Sequence, residues 1–156
     1  HAAMAMLLAN QRRWDEAERE YQVALQLNPN SATTHYFFGF AVLLPEKRFE
    51  EALKEIRSAL SLDPLSPIVN VNHAAALFAA RRYSESMIEF RHALELDNNF
   101  GPAHQKLSWF YAANGRYEDA VKEWQKFMFV PGSWSADAQG YGSLVTTAVL
   151  GRRKRV

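Results

Sequence analysis

Cysteine is absent from the 156-residue chain. That removes disulfide frameworks, zinc–thiolate sites, haem-attachment motifs and cysteine nucleophiles. Glycine and proline are scarce, at seven and six residues, while hydrophobic residues make up 48%. Disordered and collagen-like chains show neither property. Charge of one sign is lacking too. Eighteen Lys plus Arg stand against 17 Asp plus Glu, and a net +1 gives no long-range reason to bind a polyanion. Apolar runs such as Ala74–Ala80 fall well short of the roughly 18–20 residues that cross a bilayer. No charged-then-apolar leader opens the chain, which begins with His1 rather than Met, as expected of a piece of a longer protein. No glycine-rich phosphate loop or serine elbow is present, so the chain is not expected to be an enzyme.

What is present is a repeat. Leu27-Asn28-Pro29, Leu62-Asp63-Pro64 and Leu96-Asp97-Asn98 end three helix-like stretches, stepping by 35 and then 34 residues, and Val130-Pro131 ends a fourth. Counting back from each stop, Trp14-Asp15-Glu16-Ala17, Phe49-Glu50-Glu51-Ala52, Tyr83-Ser84-Glu85-Ser86 and Tyr117-Glu118-Asp119-Ala120 share one pattern: aromatic, acidic, acidic, small, with Ser84 the one exception. Seven residues after the small residue stand Ala24, Ala59, Ala93 and Phe127. A fixed period of this length marks a stacked array of two-helix units. The acidic residues suit a helix N-terminus, and Phe49, Ala52, Leu53, Ile56, Ala59 and Leu60 keep helical spacing. Pro64 stops that helix. First helices are expected over about Ala32–Leu44 and Pro67–Ala80. Asn114-Gly115-Arg116 reads as the tight turn inside a unit, with glycine free to take positive φ. In the second unit Leu44-Pro45-Glu46-Lys47 reads as that turn made one residue longer, which accounts for the step of 35.

These residues resemble the tetratricopeptide repeat family over roughly residues 1–131. The resemblance implies an all-α, right-handed superhelical solenoid of helix-turn-helix hairpins, with units at 1–30 (clipped at its start), 31–65, 66–99 and 100–131. The family places small residues where paired helices touch. Here these are Ala5, Gly39, Ala74 and Ser108 on the first helices, and Ala17, Ala52, Ser86 and Ala120 on the second. Large residues fill the neighbouring slots: Leu8, Val42, Leu77 and Tyr111, then Tyr21, Ile56, Phe90 and Trp124. Phe127 in place of alanine and Asn98 in place of proline are the departures. A helix over 133–150, with Trp134 on its apolar face, is expected to cap the array over Phe127 and Phe129, and 151–156 to form a basic tail. The run Leu62–Ile68 and the phrase Ala80-Arg81-Arg82-Tyr83 also resemble repeat regions of large bacterial regulators. There such repeats follow a winged-helix DNA-binding domain or a protein-kinase domain, neither of which lies in these residues.

In the tetratricopeptide family the first helices line a concave groove that holds an extended or helical peptide. Carried over slot by slot, the resemblance implies a groove of Tyr36, Phe37, Phe40 and Leu43, then Val71, Asn72, Ala75 and Phe78, then Gln105, Lys106, Trp109 and Ala112. That surface is apolar and aromatic, with Asn72, Gln105 and Lys106 as polar handles. Relatives that grip acidic C-termini use several Lys, Arg and Asn side chains, of which only Asn72 and Lys106 are matched here. Tyr36, Phe40 and Pro102 replace the others, which favours an amphipathic helix or an extended apolar segment as ligand.

Histidine invites a metal reading. His1, His35 and His104 share one slot, which Asn70 fills in the third unit. Equivalent slots on neighbouring repeats stand about 10 Å apart, whereas zinc needs ligands within about 2.1 Å. No metal or other cofactor is expected. His73 stands where the family has leucine and is expected to be buried and hydrogen-bonded. The function implied is a non-catalytic protein-interaction scaffold. The alternatives are self-association through stacked end repeats and a sensor domain of a larger bacterial regulator. A protein or peptide is the expected partner, rather than nucleic acid or membrane. Setting aside the tail Arg152-Arg153-Lys154-Arg155 leaves 14 basic against 17 acidic residues, a net of about −3. The cytoplasm is the default compartment.

Overall fold

The computed structural model describes residues 1–129. Among them every regular element is helical, as expected of the all-α class. They are α1 (Ala2–Asn10), α2 (Trp14–Leu27), α3 (Ala32–Phe38, continued by a π turn over Gly39–Leu43), α4 (Phe49–Leu62), α5 (Pro67–Ala79), α6 (Tyr83–Leu96), α7 (Gly101–Ala113) and α8 (Tyr117–Phe129). The chain divides into two compact units, residues 1–92 and residues from 93 on. The cap expected over 133–150 and the tail at 151–156 lie outside the described residues.

Helix pairs form hairpins because each carries one small residue at the same place. Ala5 and Ala17, Gly39 and Ala52, Ala74 and Ser86, and Ser108 and Ala120 are all buried. Small side chains let helix axes approach closely, and the larger neighbours then interlock. In the first unit Leu8, Tyr21, Phe38, Val42 and Leu43 form one core, with the Tyr21 and Phe38 rings stacked at 5.6 Å. Leu53, Ile56, Val69 and Leu77 form a second, with Tyr36. Each such side chain contributes roughly 1.5–3 kcal/mol when fully buried. In the second unit Trp124 and Phe127 pack at 5.2 Å, with Met128 beside them. Phe127 is buried, whereas Phe129 is 85% exposed.

One turn joins successive hairpins throughout. Ser31 N donates to Asn28 O, Ser66 N to Asp63 O and Phe100 N to Asp97 O. Replacing proline by Asn98 does not disturb it, since Asp97 Oδ1 accepts from Asn99 N at 2.9 Å. Asn28 Oδ1 does the same for Asn30 N at 3.2 Å. These side-chain bonds fix the turn locally.

Within the hairpins, the turn expected to be longer is not. Arg12 N donates to Ala9 O and Arg13 N to Leu8 O. The same pair recurs as Lys47 to Leu44 and Arg48 to Leu43, as Arg81 to Phe78 and Arg82 to Leu77, and as Gly115 to Ala112 and Arg116 to Tyr111. Arg12, Lys47 and Arg81 take φ of 58°, 62° and 62°, the left-handed conformation that Gly115 adopts at 74° without a Cβ. The extra residue of the second repeat lies inside its first helix instead. Leu44 N donates to Gly39 O, five residues back, at 3.0 Å. Pro45 follows directly. It has no N–H to offer the Ala41 carbonyl, and its ring would crowd that carbonyl in a regular helix. Widening the turn relieves both problems and moves everything after Gly39 by one position. Leu43 therefore holds the core place of Leu77, and Leu44 that of Phe78.

Gly39 sits so close to α4 that a Cβ there would meet Ala52 O at 2.9 Å and Ile56 Cγ1 at 3.0 Å. Gly39→Ala is expected to lower stability by about 1–3 kcal/mol in urea titration, although Ala5 and Ala74 fill that slot in adjacent hairpins. An unchanged midpoint would contradict the close approach.

Candidate functional site

The expected peptide-binding residues fall on two units. In the first unit Tyr36 is buried, with its ring 4.8 Å from Phe37 and 5.7 Å from Phe40. Its hydroxyl accepts a hydrogen bond from Asn72 Nδ2 at 2.8 Å, tying α3 to α5. Burial raises the Tyr36 pKa, and the Asn72 bond partly opposes the shift. Asn72 itself is 2% exposed, and its Oδ1 accepts no hydrogen bond among the described residues. Val71 is fully buried. Phe37, Phe40 and Phe78 are half-buried, with Phe78 packed 5.4 Å from the Tyr83 ring. Leu43 does not belong to this face. The π turn carries it into the core and leaves half-buried Leu44 in its register.

In the second unit Gln105 and Lys106 are half-buried and Trp109 is 36% exposed. The Lys106 ammonium lies 5.8 Å from the centroid of the Trp109 ring, a cation–π distance. Burial lowers the Lys106 pKa. A cavity of about 880 Å³ lies elsewhere on this unit, lined by His104, Tyr111, Glu123 and Lys126 among others.

Residues 1–31 match the family model described as Tetratricopeptide repeat. The chain of MamA 41-end from Desulfovibrio magneticus RS-1 is 22% identical, with a TM-score of 0.71, over 86% of this chain and 76% of that one. A crystal structure of MamA is 19% identical, with a TM-score of 0.66, over 80% of this chain and 72% of that one. The repeat family is thus matched over residues 1–31, and the likeness to these structures is one of fold. No curated protein matches it in sequence. No helix among the described residues is long and apolar enough to cross a membrane.

Two polar features of the repeats escape a reading of the hydrophobic pattern. The first is an arginine before each aromatic. Arg13, Arg48, Arg82 and Arg116 pair with Glu16, Glu51, Glu85 and Asp119, three residues on. Arg48 also reaches back to Glu18 of α2 at 2.6 Å, and Arg82 to Glu50 of α4 at 3.8 Å. The second is a glutamate three residues after each small residue of the second helices. His1–Glu20, His35–Glu55 and His104–Glu123 each meet at 2.6 Å. Their constant spacing was the available signal. Among the described residues no three His, Asp or Glu side chains are grouped to hold a metal ion. His73 is buried as expected but is not hydrogen-bonded. Among the described residues neither ring nitrogen has a hydrogen bond, and Nδ1 pairs with Glu89 Oε2 only at 3.6 Å. With Asn70 filling the histidine slot of this repeat, Glu89 is the glutamate left over.

The Tyr36–Asn72 bond is testable. Asn72→Leu is expected to cost about 1–3 kcal/mol by leaving a buried hydroxyl without its donor. In a Tyr36→Phe background the same substitution should cost markedly less, as thermal denaturation of the four-member cycle would show.

Proposed function

We propose that the first helices within each unit offer a docking face for an apolar peptide or amphipathic helix. The observation that carries this reading is that each unit leaves large rings of its first helices partly accessible: Phe40 and Phe78 in the first, Trp109 in the second. Phe37 extends the face on the first unit, while Lys106 and Gln105 add polar contacts on the second. Tyr36, Val71 and Asn72 act beneath that face, holding α3 and α5 in place rather than touching the ligand. Burying three aromatic anchors would contribute on the order of 5 kcal/mol before ordering costs. Displayed peptide libraries panned on the whole chain should yield sequences with apolar residues at helical spacing. Phe40→Ala and Phe78→Ala, both on the first unit, should each weaken a peptide selected on that face at least tenfold, the loss of about 1.4 kcal/mol or more. Melting temperature should move only a few degrees. Unaltered affinity in both variants would refute this reading.

A second reading, self-association, has one observation in its favour. Met4 and Leu7 on α1 are each 52% exposed. In repeat register they match Phe38 and Val42, which share a core cluster with Tyr21 of the preceding hairpin. α1 thus offers the face on which another hairpin's second helix would sit. Leu7→Lys should then turn a concentration-dependent light-scattering mass into a constant one. A wild-type mass that does not change with concentration would exclude self-association.

A further inference from the structure

The shared histidine slot binds through protons. In the second unit His104 is 3% exposed and lies between two oxygens. Its Nδ1 is 2.6 Å from Glu123 Oε2 on α8, and its Nε2 is 2.8 Å from the carbonyl oxygen of Asn98, just past α6. A carbonyl can only accept, so Nε2 carries a hydrogen. Glu123 is held as a carboxylate, because Lys126 donates to its other oxygen at 2.8 Å. Nδ1 must therefore carry a hydrogen as well. A ring with both is an imidazolium.

We propose that His104 is an alkali-sensitive clasp: as an imidazolium it ties the end of α6 to both helices of the last hairpin, and on losing its proton it releases one of the two ties. A neutral ring keeps a single N–H, so either the carboxylate or the carbonyl is left facing a lone pair in a buried place. The charged side chains that act on the ring are both on α8. Glu123 favours the cation, and Lys126 opposes it.

The third repeat supplies the contrast. Its slot holds Asn70, whose Nδ2 donates to the carbonyls of Pro64 at 3.0 Å and Ser66 at 2.9 Å. An amide performs this junction without a titrating proton. Histidine at 104 adds a dependence on pH that the fold does not require.

The sign follows from linkage. The hydrogen bond to Glu123, more than any other cause, holds the His104 pKa above the ordinary imidazole value. The stabilisation is therefore complete below about pH 6.5 and fades as pH rises through the folded value. His73 acts oppositely, since burial lowers its pKa. A single melting curve mixes the two, so the test must isolate His104.

In ¹⁵N-histidine spectra of the whole chain, the His104 ring should titrate above 6.5, with both nitrogens protonated on the acid side of its midpoint. His104→Asn copies the third repeat and is expected to fold. Wild type should melt above this variant at pH 5.5, and the gap should shrink by on the order of 5 °C by pH 9. A ring that titrates at or below 6.5, or a gap that does not vary with pH, would overturn the proposal. If His104→Asn does not fold, the wild-type ring titration decides alone.

Discussion

Close contact between small residues inside each hairpin is the constraint on which the remainder rests. Seven of the eight positions are alanine or serine and one is glycine, and all eight are buried. A larger side chain at any of them would push the two helices apart. The serines meet the polar cost of burial locally, Ser86 Oγ donating to Ala74 O and Ser108 Oγ to Gln105 O, each at 2.7 Å. Only with the helices held at that separation can His35 reach Glu55, or His104 reach Glu123, at hydrogen-bond distance. The polar ties follow the apolar contact and do not replace it.

Those ties serve register more than stability. Exposed pairs such as Arg13–Glu16 contribute little individually. Arg48 is different in kind, because one guanidinium meets Glu51 of its own helix and Glu18 of the preceding second helix. Apolar faces alone would permit small rotations of one hairpin against another. A planar donor held between two carboxylates does not.

Much of this was legible in the chain itself. Four recurrences of aromatic, acidic, acidic and small, at steps of 34 or 35 residues, suffice for helix pairs, their boundaries and their small contact positions. Periodicity reports burial, so it found Ala52, Ile56 and Leu77. It reports poorly on polar pairs, because charged residues such as Glu55 and Glu123 read as solvent-facing whether or not a histidine meets them. It also cannot tell an outward ring from one folded back. Tyr36 and Phe40 look equivalent in sequence, yet only Tyr36 has a hydroxyl for Asn72 to donate to, and it is drawn inward. Asn72 and Val71 were legible as first-helix residues but not as interior ones. Their neighbours come from another helix.

The widened turn in the second repeat has a wider meaning for proteins of this architecture. Counting residues assigns an insertion to a loop, where alignments conventionally open their gaps. Here it is absorbed within a helix, leaving both the connecting turn and the following helix as they are in sister repeats. The change appears instead as a rotation of the helix's last positions, which exchanges one leucine for the next at the rim. Lineages that gain or lose one residue at such a place could acquire a different recognition surface without altering a single side chain there.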